Sequence, residues 1–267
     1  MINLGYEVID LHTHLRENIP FHTRQALEAG IGTVLYMANM KPCLDNVAAI
    51  KLSLKKKRFV KARPVSAITI GRQGKELVDI EKIMPYVAGF SDDGDCLKDL
   101  NLLAEILRKN VLVMAHLEPE TEMLIKYLQV LSKVGGRLHL QHISKAKSIK
   151  ILRPWKNCPN SKNTHLTVET CPHYFSYNNE VEDRPVNPPL GTLQDIAAIK
   201  EALADGTIDS IASDYAPIPR PKGTGFASFS SFVPLCYGLV LEKVLTPQQL
   251  KEKIHDNPLK IINSPGY

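Results

Sequence analysis

Short apolar runs rich in β-branched residues alternate along the chain with longer stretches in which apolar and polar residues recur at helical spacing. A short, continuous apolar run is typical of a strand buried on both faces of a parallel sheet. The pattern predicts eight strands, at residues 7–11, 33–38, 64–70, 86–90, 111–115, 137–141, 166–169 and 208–212.

The stretches between these runs predict amphipathic helices, among them 97–109, 120–134 and 193–205. A strand followed by a helix, repeated eight times, is typical of the α/β class and of a (β/α)8 TIM barrel. A doubly wound open sheet is the alternative, but it favours a Gly-rich phosphate turn after its first strand, and the residues after 7–11 contain none. We therefore expect one barrel domain spanning residues 1–267.

Composition narrows the class of protein. The chain has 267 residues, of which 44% are hydrophobic and 23% charged, as in a globular protein. Its net charge of +5 is mild, and the basic run at 55–58 fits a solvated helix end, so we expect no nucleic-acid partner. Five cysteines without a CxxC pair, no apolar leader and no run of about 20 apolar residues predict a cytoplasmic protein that does not enter a membrane.

Residues that can bind metals follow the predicted strands. His12 and His14 end the first strand, and because side chains alternate along a strand, the two imidazoles point the same way. Later strands are followed by Asn39, Asp92, Asp93, His116, His142 and Asp214, and the seventh ends near Glu169. In a (β/α)8 barrel the carboxyl ends of the strands converge on the active site.

These residue types predict a metal-dependent hydrolase. Imidazoles and carboxylates are common zinc ligands, and four imidazoles with two or three carboxylates are enough for two divalent ions. Such ions polarise a carbonyl and make hydroxide available near neutral pH. Each residue alone also fits a structural role, such as a hydrogen-bonded core histidine. Their joint placement at strand ends favours the metal site.

Several of the same segments form recognisable motifs. In chain order they are VIDLHTHLRE, YMANMKP, GFSDDG, VMAHLEPE, LHLQHIS, VETCPHY, VNPPL, IASDYAP and NPLKI. With these motifs the chain resembles the dihydroorotases of the amidohydrolase superfamily over nearly its whole length. The GFSDDG segment is similar to the branch in which an Asp replaces a carboxylated lysine.

The resemblance implies a zinc-dependent hydrolase that interconverts N-carbamoyl-L-aspartate and dihydroorotate in pyrimidine biosynthesis, with one or two zinc ions per chain. One ion would be bound by His12, His14 and Asp214, and the other by His116 and His142. The metal ligands so implied are His12, His14, Asp93, His116, His142 and Asp214. Asp93 is the favoured bridge between the ions, and Asp92 remains the alternative.

The resemblance also implies roles toward an anionic small-molecule substrate. Asp214 would be the general acid and base that delivers a proton to the amide nitrogen. Arg16 and Asn39 match positions that bind the substrate carboxylate, and the guanidinium fork of Arg16 suits that group. Asn187 matches a position near the pyrimidine ring.

The chain departs from the family pattern in three places. Ile218 stands where the motif after the eighth strand ends in a carboxylate-binding His, and Gly191 replaces the Arg after NPPL. We also expect the β-sandwich that flanks the family's barrel to be absent or vestigial. These departures keep two alternatives open: another cyclic amidohydrolase of the hydantoinase or dihydropyrimidinase type, and a catalytically weak dihydroorotase-like partner of aspartate transcarbamoylase. Association into homo-oligomers also stays open.

Overall fold

The computed structural model describes residues 2, 4–157, 163–182, 185–217 and 225–263. Within these ranges all eight predicted strands are present, and they form one parallel sheet in chain order. Their bounds are β1 (Val8–Thr13), β2 (Ile31–Tyr36), β3 (Lys61–Ser66), β4 (Gly89–Phe90), β5 (Leu112–Ala115), β6 (Gly136–Leu140), β7 (Thr164–Thr170) and β8 (Ser210–Ile211). A parallel bridge between Thr13 and Tyr215 brings the chain after β8 back to β1, so that the barrel is nearly closed.

Helices connect the strands on the outside of the barrel. They are α1 (Ile19–Glu28), α2 (Val47–Leu54), α3 (Ile80–Ile83), α4 (Leu100–Arg108), α5 (Glu120–Val134), α6 (Ala146–Asn157), α7 (Pro172–Ser176), α8 (Leu193–Ala204), α9 (Phe229–Leu241), α10 (Pro247–Lys251) and α11 (Asn257–Asn263). The alternation confirms the predicted (β/α)8 barrel. Among the described residues, no helix is long and apolar enough to cross a membrane, and no strand belongs to a second sheet.

The third strand is displaced from its predicted position. It begins at Lys61, before the apolar run, because this exposed basic residue pairs with Thr33 on β2. It ends at Ser66, whose hydroxyl donates to the carbonyl of Leu44 at 2.8 Å. Beyond that point the backbone N–H of Thr69 donates to a side chain rather than to a neighbouring strand. Local side-chain hydrogen bonds have replaced sheet pairing here.

The interior of the barrel is closed at the amino-terminal ends of the strands. Ile261 of α11 packs with an apolar cluster of the barrel interior that contains Ile9, Leu11, Leu35, Met37, Val65, Leu112, Met114 and Ala212. The side chain of Arg137, at the start of β6, donates to the carbonyl of Ile261 at 2.8 Å. A larger cluster fills the layer between strands and helices. The polar residues therefore gather at the opposite, carboxyl-terminal rim.

Candidate metal centre

Six side chains that the sequence singled out as metal ligands come together at this rim. Two lie at the end of β1, and the others follow β4, β5, β6 and β8. All six are buried: His12, His14, Asp93, His116, His142 and Asp214. The convergence of parallel strands has thus brought together residues from across 203 positions of the chain, from His12 to Asp214.

Asp93 lies at the centre of the group. Its Oδ1 atom is 3.3 Å from His12 Nε2 and 3.6 Å from both His116 Nδ1 and His142 Nε2. Its Oδ2 atom is 3.3 Å from His14 Nε2. A single carboxylate therefore faces all four imidazoles, with one oxygen toward three of them and the other toward the fourth.

Asp214 completes one side of this arrangement. Its Oδ1 atom is 3.1 Å from His14 Nε2 and 3.6 Å from His12 Nε2. Ligand atoms of His12, His14 and Asp214 lie within 4.8 Å of one another, and so do those of His12, Asp93 and His142. On the far side of Asp93, His116 Nδ1 is 2.9 Å from His142 Nε2. The site therefore contains two groups of possible metal ligands, and both groups include His12.

Asp92 faces away from the imidazoles. One of its oxygens accepts from the backbone N–H groups of Ile68 and Thr69, at 2.8 and 3.1 Å, and the other accepts from the Thr69 hydroxyl. These hydrogen bonds anchor the segment that follows β3. Of the two adjacent aspartates, the structure turns Asp93 toward the histidines and Asp92 toward the backbone.

Burial and the neighbouring imidazoles act in opposite directions on the pKa of the carboxylates of the centre. Burial acts to raise the pKa of Asp93, but His12, His142 and His14 outweigh it and hold this pKa well below its usual range. Burial likewise opposes the ionisation of Asp214, and the neighbouring His12 and His14 lower its pKa to about 2. For His116, burial and the adjacent His142 lower the pKa. Burial acts to lower the pKa of His12, but the same attraction to the carboxylates raises this pKa well above its usual range. Anionic carboxylates are the form that binds a metal.

One buried imidazole nitrogen of the centre tests whether these residues fit a metal ion. Among the described residues His12 Nε2 is buried and has no hydrogen-bond partner, although it lies beside Asp93 and Asp214. A buried polar atom without a partner is costly and needs an explanation. An ion held by imidazole and carboxylate donors would supply one, so the residues present fit a divalent metal of the zinc type.

Neighbouring polar side chains fix the orientation of the first two imidazoles. The Nδ1 atom of His12 lies 3.3 Å from Glu169 Oε1, so that its Nε2 atom faces Asp93. The other oxygen of Glu169 lies 3.1 Å from His139 Nε2. His14 Nδ1 is 2.9 Å from the side-chain oxygen of Asn39. Sequence analysis placed Glu169 at the rim but did not foresee this orienting contact.

Asp93 is held by two contacts of its own backbone. Its N–H donates to the hydroxyl oxygen of Ser91 at 3.1 Å, and the Ser91 hydroxyl donates to Gln141 at 3.1 Å. Its carbonyl accepts from the guanidinium of Arg72 at 2.6 Å. No sequence motif indicated Arg72, which lies in the short turn Ile70–Arg72.

Three of the predicted site residues have left-handed backbone conformations. Arg16, His142 and Asp214 have φ of 49°, 37° and 47°. Such values are uncommon for residues other than glycine, and they cluster at functional sites where surrounding structure holds them in place. His142 and Asp214 follow β6 and β8, and their left-handed conformations turn the chain at the point where their side chains enter the metal centre.

A cavity of about 130 Å³ opens beside the centre. It is lined by Arg16, Asn39 and Asn187, the three predicted substrate-binding residues, as well as by Gly94 and Ala216. Arg16 donates to the carbonyl of Asn39 at 3.2 Å. On the opposite side, Asn187 Nδ2 donates to Glu118 Oε2 at 3.1 Å, and that oxygen lies 3.5 Å from His116 Nε2. Sequence analysis did not single out Glu118.

The two sequence departures that concern predicted substrate recognition differ in whether the structure describes them. Ile218 lies outside the described residues. Gly191 packs against the start of α8, where a Cβ would lie 2.6 Å from the carboxylate of Asp195. That carboxylate accepts from Thr192 and from the backbone N–H of Ala146, at 2.9 and 2.8 Å. A glycine allows this close approach.

Comparison of the sequence with known proteins identifies relatives but no matching family model. No protein-family model matches the chain. The dihydroorotase of Geobacter sulfurreducens is 31% identical to it over 310 residues, an alignment that covers 96% of this chain and 72% of that protein.

Solved structures share the fold. An L-hydantoinase (dihydropyrimidinase) from Arthrobacter aurescens superposes with a TM-score of 0.82 at 16% identity, covering 98% of this chain and 73% of that one. A dihydroorotase from Saccharomyces cerevisiae, in complex with 5-fluoroorotic acid, gives a TM-score of 0.80 at 15% identity, covering 99% and 86%. An inactive dihydroorotase-like domain of a Chaetomium thermophilum multifunctional protein gives 0.75 at 17%, covering 96% and 78%. Identities this low show the barrel fold alone.

Proposed function

The chain belongs to the dihydroorotase family, and from that premise we propose that it is a metal-dependent dihydroorotase that interconverts N-carbamoyl-L-aspartate and dihydroorotate. The observation that carries the proposal is the position of Asp93, which faces four imidazoles and lies beside a cavity lined by Arg16. A metal centre next to a guanidinium suits a cyclic amide that bears a carboxylate.

The proposed cofactor is zinc, with one or two ions per chain. His12, His14 and Asp214 would hold one ion, His116 and His142 the other, and Asp93 would contact both. These residues would bind through neutral imidazoles and ionised carboxylates, the usual donors for zinc. When bound, the metal polarises the ring carbonyl and lowers the pKa of water near it.

Asp214 moves the proton in the proposed reaction. Its neighbours His12 and His14 lower its pKa to about 2, and it follows the eighth strand at the edge of the cavity. During ring opening it accepts a proton from the attacking water and delivers it to the ring nitrogen as the carbon–nitrogen bond breaks. During cyclisation the same carboxylate takes the proton from the ureido nitrogen.

The cavity side chains orient the substrate. Arg16 and Asn39 would bind the carboxylate, and Asn187 would contact the pyrimidine ring. The Asn39 side chain also contacts His14, at 2.9 Å, and therefore couples the carboxylate-binding side of the cavity to one imidazole. A substrate held by these groups presents its scissile amide to Asp214 and Asp93.

The domain organisation, the cellular location and the partners are proposed on the basis of this function. We propose that residues 1–267 act as one barrel domain, that the enzyme works in the cytoplasm on a small anionic substrate, and that any association with aspartate transcarbamoylase accompanies catalysis. A purely structural partner would have no use for six filled ligand positions, and this chain fills all six.

The test is a ring-opening and ring-closing assay with the metal-loaded protein. Dihydroorotate should be opened and N-carbamoyl-L-aspartate cyclised. Hydantoin and dihydrouracil, which have no carboxylate, serve as competing substrates. Turnover of either one without turnover of dihydroorotate would identify another cyclic amidohydrolase. Protein purified without chelators that holds no metal and binds the transcarbamoylase tightly would instead identify a structural partner.

A further inference from the structure

Arg72 lies close to Gly94, a residue of the cavity wall, but belongs to none of the motifs described above. It ends the turn Ile70–Arg72 with a left-handed φ of 58°, a conformation that is uncommon outside glycine. Its guanidinium reaches back toward the rim and donates to the carbonyl of Asp93 at 2.6 Å. The turn that carries it follows β3, between strands that supply the centre.

The glycine after Asp93 separates this guanidinium from the cavity. Gly94 lines the cavity and has a φ of 84°. A Cβ placed on it would lie 3.6 Å from Arg72 Nη1 and 3.8 Å from Asn39 Nδ2. Because glycine has no side chain, a ligand atom that approaches its Cα comes near both nitrogen donors at once.

Arg72 has N–H groups left for such a ligand. A guanidinium carries five N–H donors in a planar fork. Among the described residues its partners are the Asp93 carbonyl and Asp95, whose carboxylate lies 3.1 Å from Nη2. The side chain of Asp95 is 55% exposed, and an ion pair with an exposed partner contributes little. Asp95 therefore leaves Arg72 able to bind an anion.

The neighbouring donors point to the same kind of ligand. Arg16 donates to the carbonyl of Asn39 at 3.2 Å, and Asn39 Nδ2 is the second donor near Gly94. Arg16 and Asn39 line the same cavity as Gly94, and Arg72 Nη1 lies close to that glycine. These donors suit a planar anion, and a carboxylate has the geometry that guanidinium forks match.

Resting on the proposed function, we infer that Arg72 is a specificity-determining residue that binds the substrate carboxylate together with Arg16 and Asn39. Its contact with the Asp93 carbonyl holds the guanidinium in place while its remaining N–H groups face the ligand. The carboxylate would then lie over Gly94, between the guanidiniums of Arg16 and Arg72.

The experiment compares Arg72→Met with Lys75→Met, a matched control. Lys75 is an exposed cation in the same loop, so its replacement removes the same charge without reaching the cavity. The probe is orotate, which has the ring and carboxylate of the substrate, and its binding to the metal-loaded proteins is measured by calorimetry. Metal content and the kcat for dihydroorotate are measured on the same preparations.

We expect Arg72→Met to weaken orotate binding by about 10-fold or more, the loss typical of one hydrogen bond to a charged group. The KM for dihydroorotate should rise by a similar factor, more than kcat falls, Arg72→Lys should recover part of the affinity, and Lys75→Met should bind like wild type. Unchanged orotate binding in Arg72→Met overturns the inference. So does a loss of orotate affinity that only follows a loss of bound metal, which would mean that Arg72 acts through Asp93. A wild-type protein that neither opens dihydroorotate nor binds orotate overturns the proposed function itself, and the role of Arg72 with it.

Discussion

The Oε1 atom of Glu169 lies 3.3 Å from the Nδ1 atom of His12, and this contact turns the other nitrogen of His12 toward Asp93. Both side chains are fully buried. Burial raises the pKa of the Glu169 carboxyl, but hydrogen bonds to His12 and His139 outweigh it and lower this pKa to about 2. The anionic carboxylate accepts the Nδ1 proton and leaves the Nε2 lone pair for a metal.

Replacement of Glu169 by Gln should therefore weaken metal binding by about 10- to 100-fold, the usual loss when a carboxylate partner of a ligating histidine is removed. The measurement is a competition titration with a chromophoric chelator. Glu122→Gln, at an exposed position of α5, is the matched control and should bind metal like wild type. Equal affinities in the two variants would contradict the orienting role of Glu169.

The adjacent aspartates should respond differently to the same substitution. Asp93→Asn should lose metal because Asp93 faces all four imidazoles. Asp92→Asn should keep its metal but lose about 1.5–3 kcal/mol of unfolding free energy, because Asp92 is the charged acceptor for Thr69 and Ile68. Metal analysis and urea unfolding separate the two effects. A metal-free Asp92→Asn together with a fully loaded Asp93→Asn would reverse the assignment.

Removal of the metal should lower the thermal stability of the protein. A ligand present at 100 times its Kd adds about 2.7 kcal/mol to the native state. For a domain of this size, that corresponds to a fall in Tm of about 5–10 °C on chelation. His12 belongs to both groups of possible metal ligands, so His12→Ala should show a much smaller fall in Tm when the chelator is added. Identical melting curves with and without chelator would argue that wild-type protein holds no metal.

Substitution of Arg16 should weaken recognition of the substrate more than it weakens binding of the metal. Arg16→Met removes a charged donor from the cavity, so the KM for dihydroorotate should rise by about 10- to 150-fold while metal content is unchanged. Arg24→Met is the matched control, since the Arg24 side chain is 66% exposed on α1 and pairs with Glu28. An unchanged KM in Arg16→Met would remove the basis for a carboxylate site at this position.

The apolar pattern was sufficient to predict the barrel because parallel strands buried on both faces leave continuous apolar runs. The predicted strands also showed where the candidate metal ligands lie, because the carboxyl ends of barrel strands converge on one rim. The apolar pattern misplaced β3, because Lys61 and Arg63 lie before the apolar run and nevertheless belong to the strand.

The contacts around the centre were less accessible to sequence reasoning. Glu169 and His12 are 157 positions apart, and their contact depends on the register of the first and seventh strands. Arg72 lies in a turn without a motif, and its reach to Asp93 depends on a left-handed backbone conformation. Interactions of this kind are set by packing between residues far apart in the sequence, which local patterns do not encode.

The most direct measurement is the rate of dihydroorotate ring opening by chelator-treated, metal-free protein as zinc is added back. Our account predicts a rate near zero without metal, which rises with added zinc and saturates at one or two ions per chain. Asp214→Ala should stay inactive at every zinc concentration while keeping its fold by circular dichroism. Full activity in the metal-free protein, or no activity once zinc is bound, would contradict the account.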